Sequence, residues 1–222
     1  KIVDDIKSNI NFNFDISNLD NQKVIDLIQN EKINILIDLF GVTSANRIEI
    51  FNNRVCPIQI SWMGYCNTIG FDTIDYILAD KNLISDDEKK YYSEQILELP
   101  DLWNVHSGFD FERKFNETPF IQKGYITFGS FGNFRKISDE TIKIWSEILN
   151  KVDKSKLVLK SSINYENSIL MEKFKKNGLE KRIKIYERSE FSNVKDHLDF
   201  YKNIDIALDT FPYNGVTTTF EA

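Results

Sequence analysis

Only two cysteines, Cys56 and Cys66, and two histidines, His106 and His197, occur among 222 residues. A disulfide-stapled fold is therefore not expected, and the cysteines fit a reducing compartment or indifference to disulfides. Neither histidine has a second His, Cys or acid at metal-ligand spacing, so no metal site is predicted. No Gly-x-Ser-x-Gly elbow occurs. Gly129-Ser130-Phe131-Gly132 departs from that pattern and lacks a partner histidine, which argues against a serine hydrolase. Long apolar runs are missing too. The longest, Ile33 to Phe40, is interrupted by Asn34 and Asp38 and falls far short of the ~20 apolar residues of a membrane span. No apolar stretch follows the opening Lys1-Ile2-Val3-Asp4-Asp5, so no secretory signal is read. Nor is there a basic surplus: 28 Lys and Arg face 34 Asp and Glu, for a formal charge of −6. That balance argues against a nucleic-acid backbone as main partner, because phosphate binding runs on clustered Lys and Arg. No self-similarity with a period of about 20–50 residues is present.

What is present is a globular composition, with 41% hydrophobic and 13% aromatic residues, enough to bury a core in one large domain or two small ones. Short apolar segments alternate with amphipathic ones. Asp20 to Asn30 places Val24, Ile25 and Ile28 at helical spacing, and Ile33 to Leu39 follows as a buried β-branched strand. Ala45 to Asn53 reads as a helix, Pro57 to Trp62, Asp75 to Leu78 and Ile96 to Leu99 as strands, and Ser85 as the N-cap of a helix begun by acids. After Trp103 to Gln122, which is polar, aromatic and non-periodic, the rhythm restarts. Strands are expected at Tyr125–Phe128, Lys156–Leu159, Arg182–Tyr186 and Ile204–Leu208. Helices are expected after Ser138, over Glu166–Lys176 closed by Asn177-Gly178, and over Val194–Tyr201. Alternating strands and helices predict parallel βαβ units. The chain opens without Met and stops at Thr219-Phe220-Glu221-Ala222, which reads as the inside of a helix, so a fragment is expected.

Ligands of open α/β sheets bind beyond the carboxyl ends of the strands. Two such loops carry suitable chemistry. Asp209 to Gly215 is a Pro/Asn/Gly turn after a strand, and Thr217, Thr218 and Thr219 stand where a helix would begin, a place with unpaired N–H groups and the positive dipole end. Gly215 permits close backbone approach. That suits a diphosphate or carboxylate, against the plainer reading of a Thr-rich cap. Gly129 to Ser138 offers Gly129 and Gly132, Asn133, and the Arg135-Lys136 pair for an anion. His197, on the helix before the last strand, reads by itself as a half-buried helix residue, and His106 as surface. In the first half, Gly41 to Arg47 and Trp62 to Gly70 are small-residue loops at strand ends.

Four ordered blocks make the chain resemble the catalytic region of the protein O-linked N-acetylglucosamine transferases, with their SPINDLY-type and bacterial relatives (glycosyltransferase family 41). They are Ile35-Leu36-Ile37-Asp38-Leu39 into Gly41-Val42-Thr43 and Asn46-Arg47; Pro57-Ile58-Gln59-Ile60-Ser61-Trp62-Met63-Gly64-Tyr65 with Asp75-Tyr76; Phe131-Gly132-Asn133-Phe134-Arg135-Lys136-Ile137 before Trp145; and Asp205 to Gly215 with Thr217-Thr218-Thr219. Val42, Cys66-Asn67 and Val216 depart from the family pattern, and the large insertion of animal members is absent.

The resemblance implies an α/β fold of the GT-B type, two Rossmann-like lobes with parallel sheets, both incomplete here. Residues 1–108 would be the C-terminal part of the first lobe, 109–122 the interlobe linker, and 123–222 the N-terminal part of the nucleotide-binding lobe. It implies an inverting, metal-independent transferase that moves N-acetylglucosamine from UDP-N-acetylglucosamine to Ser or Thr of proteins. The nucleotide sugar is then donor substrate, and no cofactor is called for. Lys136 matches the lysine on the donor diphosphate, Thr217 and Thr218 the diphosphate-binding threonines, and His197 the histidine that stacks on uracil. Asn133 falls where a Gln assists, and Glu221 where an acid holds the ribose hydroxyls. Gly215, Thr219 and Gly64 complete the donor set. Related transferases using UDP-glucose toward Asn or GDP-fucose toward Ser/Thr, and a non-catalytic sugar-nucleotide module, stay open. A protein acceptor, upstream tetratricopeptide repeats and a cytoplasmic, bacterial-type protein are implied; the fragment alone is expected to be inactive.

Overall fold

The computed structural model describes residues 2–109, 111, 117–161 and 164–222. Two compact units divide the chain, Lys1–Val105 and His106–Ala222. Their junction lies inside the Trp103 to Gln122 stretch; residues 110 and 112–116 of the linker expected over 109–122 lie outside the described residues.

In the first unit α1 (Ile2–Ser8) and α2 (Asn21–Asn30) precede β1 (Ile35–Asp38), α3 (Ile48–Phe51), β2 (Ile58–Ser61), β3 (Tyr76–Ala79) and β4 (Gln95–Glu98). The sheet runs β1-β2-β3-β4, parallel throughout. Asp20 caps α2 by accepting from the Lys23 N–H, and Val24, Ile50, Phe51, Val55 and Ile74 pack as its core. Buried polar groups fix the connections. The fully buried Gln59 donates to the Phe51 and Thr73 carbonyls and accepts from Val55 N–H. Arg47 donates to the Ile16 and Leu19 carbonyls and to Asn21.

Three expectations fail here. β1 is not buried: Ile35 and Ile37 are largely exposed and only Asp38 is buried, because β1 is the edge strand of this sheet. The helix expected over Ala45–Asn53 shrinks to α3, since Ala45 sits at φ 62° and breaks the turn before it. Ser85 opens only turns and a short 3-10 segment at Lys89–Tyr91; its hydroxyl and N–H both engage Glu88, closing a local loop rather than a helix.

The second unit contains α4 (Pro119–Lys123), β5 (Thr127–Ser130), α5 (Asp139–Lys151), β6 (Lys156–Ser161), α6 (Asn164–Lys175), β7 (Ile183–Glu187), α7 (Val194–Asp199), β8 (Ile206–Ala207) and α8 (Thr217–Glu221). Its sheet runs β7-β6-β5-β8, again all parallel. Ser138 caps α5 through the Thr141 N–H. Ile142, Trp145 and Leu149 of α5 pack with Leu157 and Leu159 of β6 and Phe174 of α6. Gly178, at φ 70°, closes α6, and its N–H donates to the Lys175 carbonyl at 2.8 Å. The order places β5 centrally, with β6 and β8 on either side, so the loops after β5, β6, β7 and β8 emerge at one end of the sheet.

A candidate donor-binding cleft in the second unit

A cleft of about 640 Å³ opens at that end. Its walls are the carboxyl end of one strand and the loops and helices that follow strands. Phe131 to Phe134 follow β5, Lys160 is the penultimate residue of β6, Arg188 follows β7, Phe191 to Val194 and His197 come from the approach to α7 and from α7 itself, and Thr218 and Glu221 belong to α8. The wall behind His197 is aromatic. Ring centroids lie 6.0 Å from Phe131, 5.9 Å from Phe191 and 5.6 Å from Tyr201. Edge and tilted contacts of this kind are the arrangements that aromatic pairs favour.

A polar chain crosses the cleft. Lys160 Nζ lies 2.7 Å from His197 Nδ1, and His197 Nε2 lies 3.1 Å from Glu221 Oε2. Tyr201 donates its hydroxyl proton to the same Glu221 oxygen at 3.3 Å. Burial pushes the Glu221 carboxyl up, but the His197 and Tyr201 hydrogen bonds and the Lys160 charge outweigh it and hold the group below its usual range. Burial, then the Arg188 charge, pushes the Lys160 ammonium down, and Glu221 opposes them.

The turn before α8 is organised by Asp209. Its carboxylate accepts from the N–H groups of Thr210 and Gly215, both at 2.8 Å, and from the Thr219 hydroxyl at 3.0 Å. Gly215 is required there: a Cβ would stand 2.6 Å from Thr218 Oγ1 and 2.7 Å from Thr219 Oγ1. Lys136 Nζ donates to the Asn214 carbonyl at 2.9 Å and lies 4.3 Å from the Tyr213 ring centre. Ser138 and Thr141 at the head of α5 both donate to the Phe211 carbonyl. The loop after β5 and the turn before α8 are thus one bonded unit.

Of the predicted residues, Asn133, His197, Thr218 and Glu221 line the cleft. Asn133 also accepts from the Arg135 N–H. Thr219 lines a smaller cavity of about 90 Å³ that shares Phe131, Gly132 and Thr218 with it. Thr217 is exposed at the first position of α8. Lys136 is fixed on the Tyr213-Asn214 turn rather than on the cleft wall. Gly64 belongs to the first unit, where a Cβ would clash with the Leu39 carbonyl oxygen; its glycine serves close packing on the Leu39-Phe40 backbone just after β1. His106, read as surface, is half-buried against the rings of Phe109 and Phe220. Sequence reasoning missed Lys160, Arg188 and Phe191. Lys160 and Arg188 each stand at the carboxyl end of a strand, the one local signal that could have found them. Among the described residues no group of three or more His, Cys, Asp or Glu side chains is placed to hold a metal ion.

Comparison with known proteins places the chain in a family. The family model described as "Glycosyl transferase family 41" matches residues 2–118, more than half of the chain. The chain is 35% identical over 94% of its length to a protein of Arabidopsis thaliana named "Probable UDP-N-acetylglucosamine--peptide N-acetylglucosaminyltransferase SPINDLY", of which it covers 23%. A protein of Oryza sativa subsp. japonica with the same name is 36% identical at the same coverages. A second Arabidopsis thaliana protein, named likewise but SEC, is 30% identical over 69% of the chain, which covers 17% of it. Among solved structures, a mutant O-GlcNAc transferase of Thermobaculum terrenum superposes with a TM-score of 0.81 at 26% identity, covering 94% of this chain and 39% of that one. The chain therefore spans less than a quarter of the length of the curated relatives it matches. Two parallel-sheet α/β units of GT-B type and a family model matched over more than half of the sequence give one conclusion: the chain belongs to glycosyl transferase family 41.

Proposed function

We propose that this chain supplies the donor-binding part of a glycosyltransferase that takes N-acetylglucosamine from UDP-N-acetylglucosamine and passes it to a Ser or Thr hydroxyl of a protein. The observation that carries this reading is the second-unit cleft, where Asn133 from the loop after β5, His197 from α7, and Thr218 and Glu221 from α8 converge at the carboxyl ends of a parallel sheet. The names of the relatives support the donor.

The cleft suits a nucleoside diphosphate in three parts. His197 and the rings around it offer a flat wall for a base. Glu221 can accept from ribose hydroxyls as well as from His197, since a carboxylate has about four acceptor sites. The Asp209-ordered turn holds Lys136 in a fixed position through the Asn214 carbonyl. When the anomeric carbon–oxygen bond breaks, the departing diphosphate gains negative charge. Donors already in place stabilise that charge without reorganising, and losing one such donor costs roughly 3 kcal/mol in the barrier. We read the transfer as inverting and metal-independent, with Lys136 the residue on the leaving diphosphate.

Thermal unfolding in the presence of UDP, UDP-N-acetylglucosamine, GDP and GDP-fucose tests the reading. A rise in Tm with UDP and its sugar is expected, because a ligand that binds only the folded state stabilises it. A rise with the guanine nucleotides alone would replace the donor, and no rise with any would overturn the assignment.

A further inference from the structure

We propose that Lys160 is a positioning residue: its ammonium donates to His197 Nδ1 and, together with Glu221 on Nε2, holds the imidazole as the Nε2–H tautomer, and so sets the ring against which a nucleoside diphosphate binds. The nucleotide part rests on the donor-binding reading above; the tautomer part does not.

An ammonium group donates and cannot accept. With Nζ at 2.7 Å, His197 Nδ1 must therefore present its lone pair to Lys160. The ring proton is then on Nε2, where it meets the Glu221 carboxylate at 3.1 Å, and a carboxylate accepts. The opposite tautomer would aim an N–H at an ammonium and a lone pair at a carboxylate, unfavourable at both ends. Lys160 is itself confined. It projects from the end of β6, and its Nζ lies 4.7 Å from the centre of the Phe191 ring, within cation–π range. Phe191 in turn meets His197 edge-on. One imidazole thus ties β6, α7 and α8 together, and its tautomer follows from the charges at its two ends.

The two histidines make this directly readable, because a His106→Gln variant assigns the His197 signals in long-range 1H–15N spectra of the chain labelled with 15N-histidine. The unliganded wild-type chain is expected to show a pyridine-like Nδ1 and a pyrrole-like Nε2 for His197. Lys160→Arg, which keeps a donor, should preserve that pattern, and Lys160→Met should move the Nδ1 signal, which loses its donor while Glu221 still faces Nε2. In parallel, the UDP dissociation constant should weaken about tenfold in Lys160→Met and far less in Lys160→Arg, the size expected for one charge-assisted hydrogen bond. A wild-type His197 protonated on Nδ1 would overturn the proposal by itself, even if Lys160→Met did not fold. So would a Lys160→Met spectrum identical to wild type. Weakened UDP binding with an unchanged ring would place Lys160 in direct contact with the ligand instead, and a changed ring with unchanged UDP binding would remove its positioning role. A wild-type chain that binds no UDP overturns the donor reading and leaves the unliganded spectra to decide the tautomer.

Discussion

Glu221 accepts from both His197 and Tyr201, with Lys160 beyond the histidine. Burial alone would raise its pKa, and these partners lower it below the ordinary 4.5. A lowered folded pKa means that the carboxylate stabilises the fold fully above about pH 4.5 and that this contribution is lost as pH falls through the lower folded value. Glu221→Gln should therefore flatten the acid limb of the stability curve of the second unit, read by tryptophan fluorescence of Trp145; an acid limb identical to wild type would remove Glu221 from the account. Gly129 makes a different kind of demand. It lies in the central strand β5, and a Cβ there would stand 2.0 Å from Ile204 Cδ1 and 2.9 Å from its Cγ2. Gly129→Val should destabilise the second unit by about 1–3 kcal/mol, the cost of overpacking a core. Urea unfolding measures it, and an unchanged midpoint would show that Ile204 moves aside freely. Glycine at this position was legible only as room for a ligand; its steric partner is 75 residues away in sequence and no local pattern could name it.

At the scale of elements, the turn between β8 and α8 works because one carboxylate gathers it. Asp209→Ala would free the Gly215 N–H and the Thr219 hydroxyl together, a loss of about 1–3 kcal/mol confined to that turn. UDP affinity should fall while the β5-β6-β7 sheet keeps its amide-exchange protection; equal loss of protection throughout the sheet would contradict a local role. The alternation of strands and helices was legible because parallel strands buried on both faces read as short apolar runs. β2, β3, β5, β6 and β7 all lie within a few residues of expectation. What failed were short helical windows. A few apolar residues at helical spacing around Ile48 and Ile50 do not outweigh a left-handed Ala45, and Ser85 found a nearer acceptor in Glu88 than a helical turn would supply. The Lys160–His197–Glu221 chain was illegible for another reason: its members come from β6, α7 and α8, and only the sheet order brings them together.

For the whole molecule, the two units divide the work differently. In the first, the blocks that resemble the family are occupied with structure. Gln59 ties β2 to neighbouring loops, Arg47 ties the start of α3 to the segment leading into α2, Gly64 packs on the Leu39-Phe40 backbone just after β1, and Asp75 pairs with Arg54 at 2.6 Å and accepts from the Gln59 N–H. In the second, the corresponding blocks build the cleft and the Asp209 turn beside it. The central claim is that this cleft holds the nucleotide. The most direct test is a 1H–15N amide spectrum of the assigned chain titrated with UDP. Saturable shifts that concentrate on residues 131–136, 160, 187–197 and 214–221 are expected. Absent shifts, or shifts that leave those segments untouched, would contradict it.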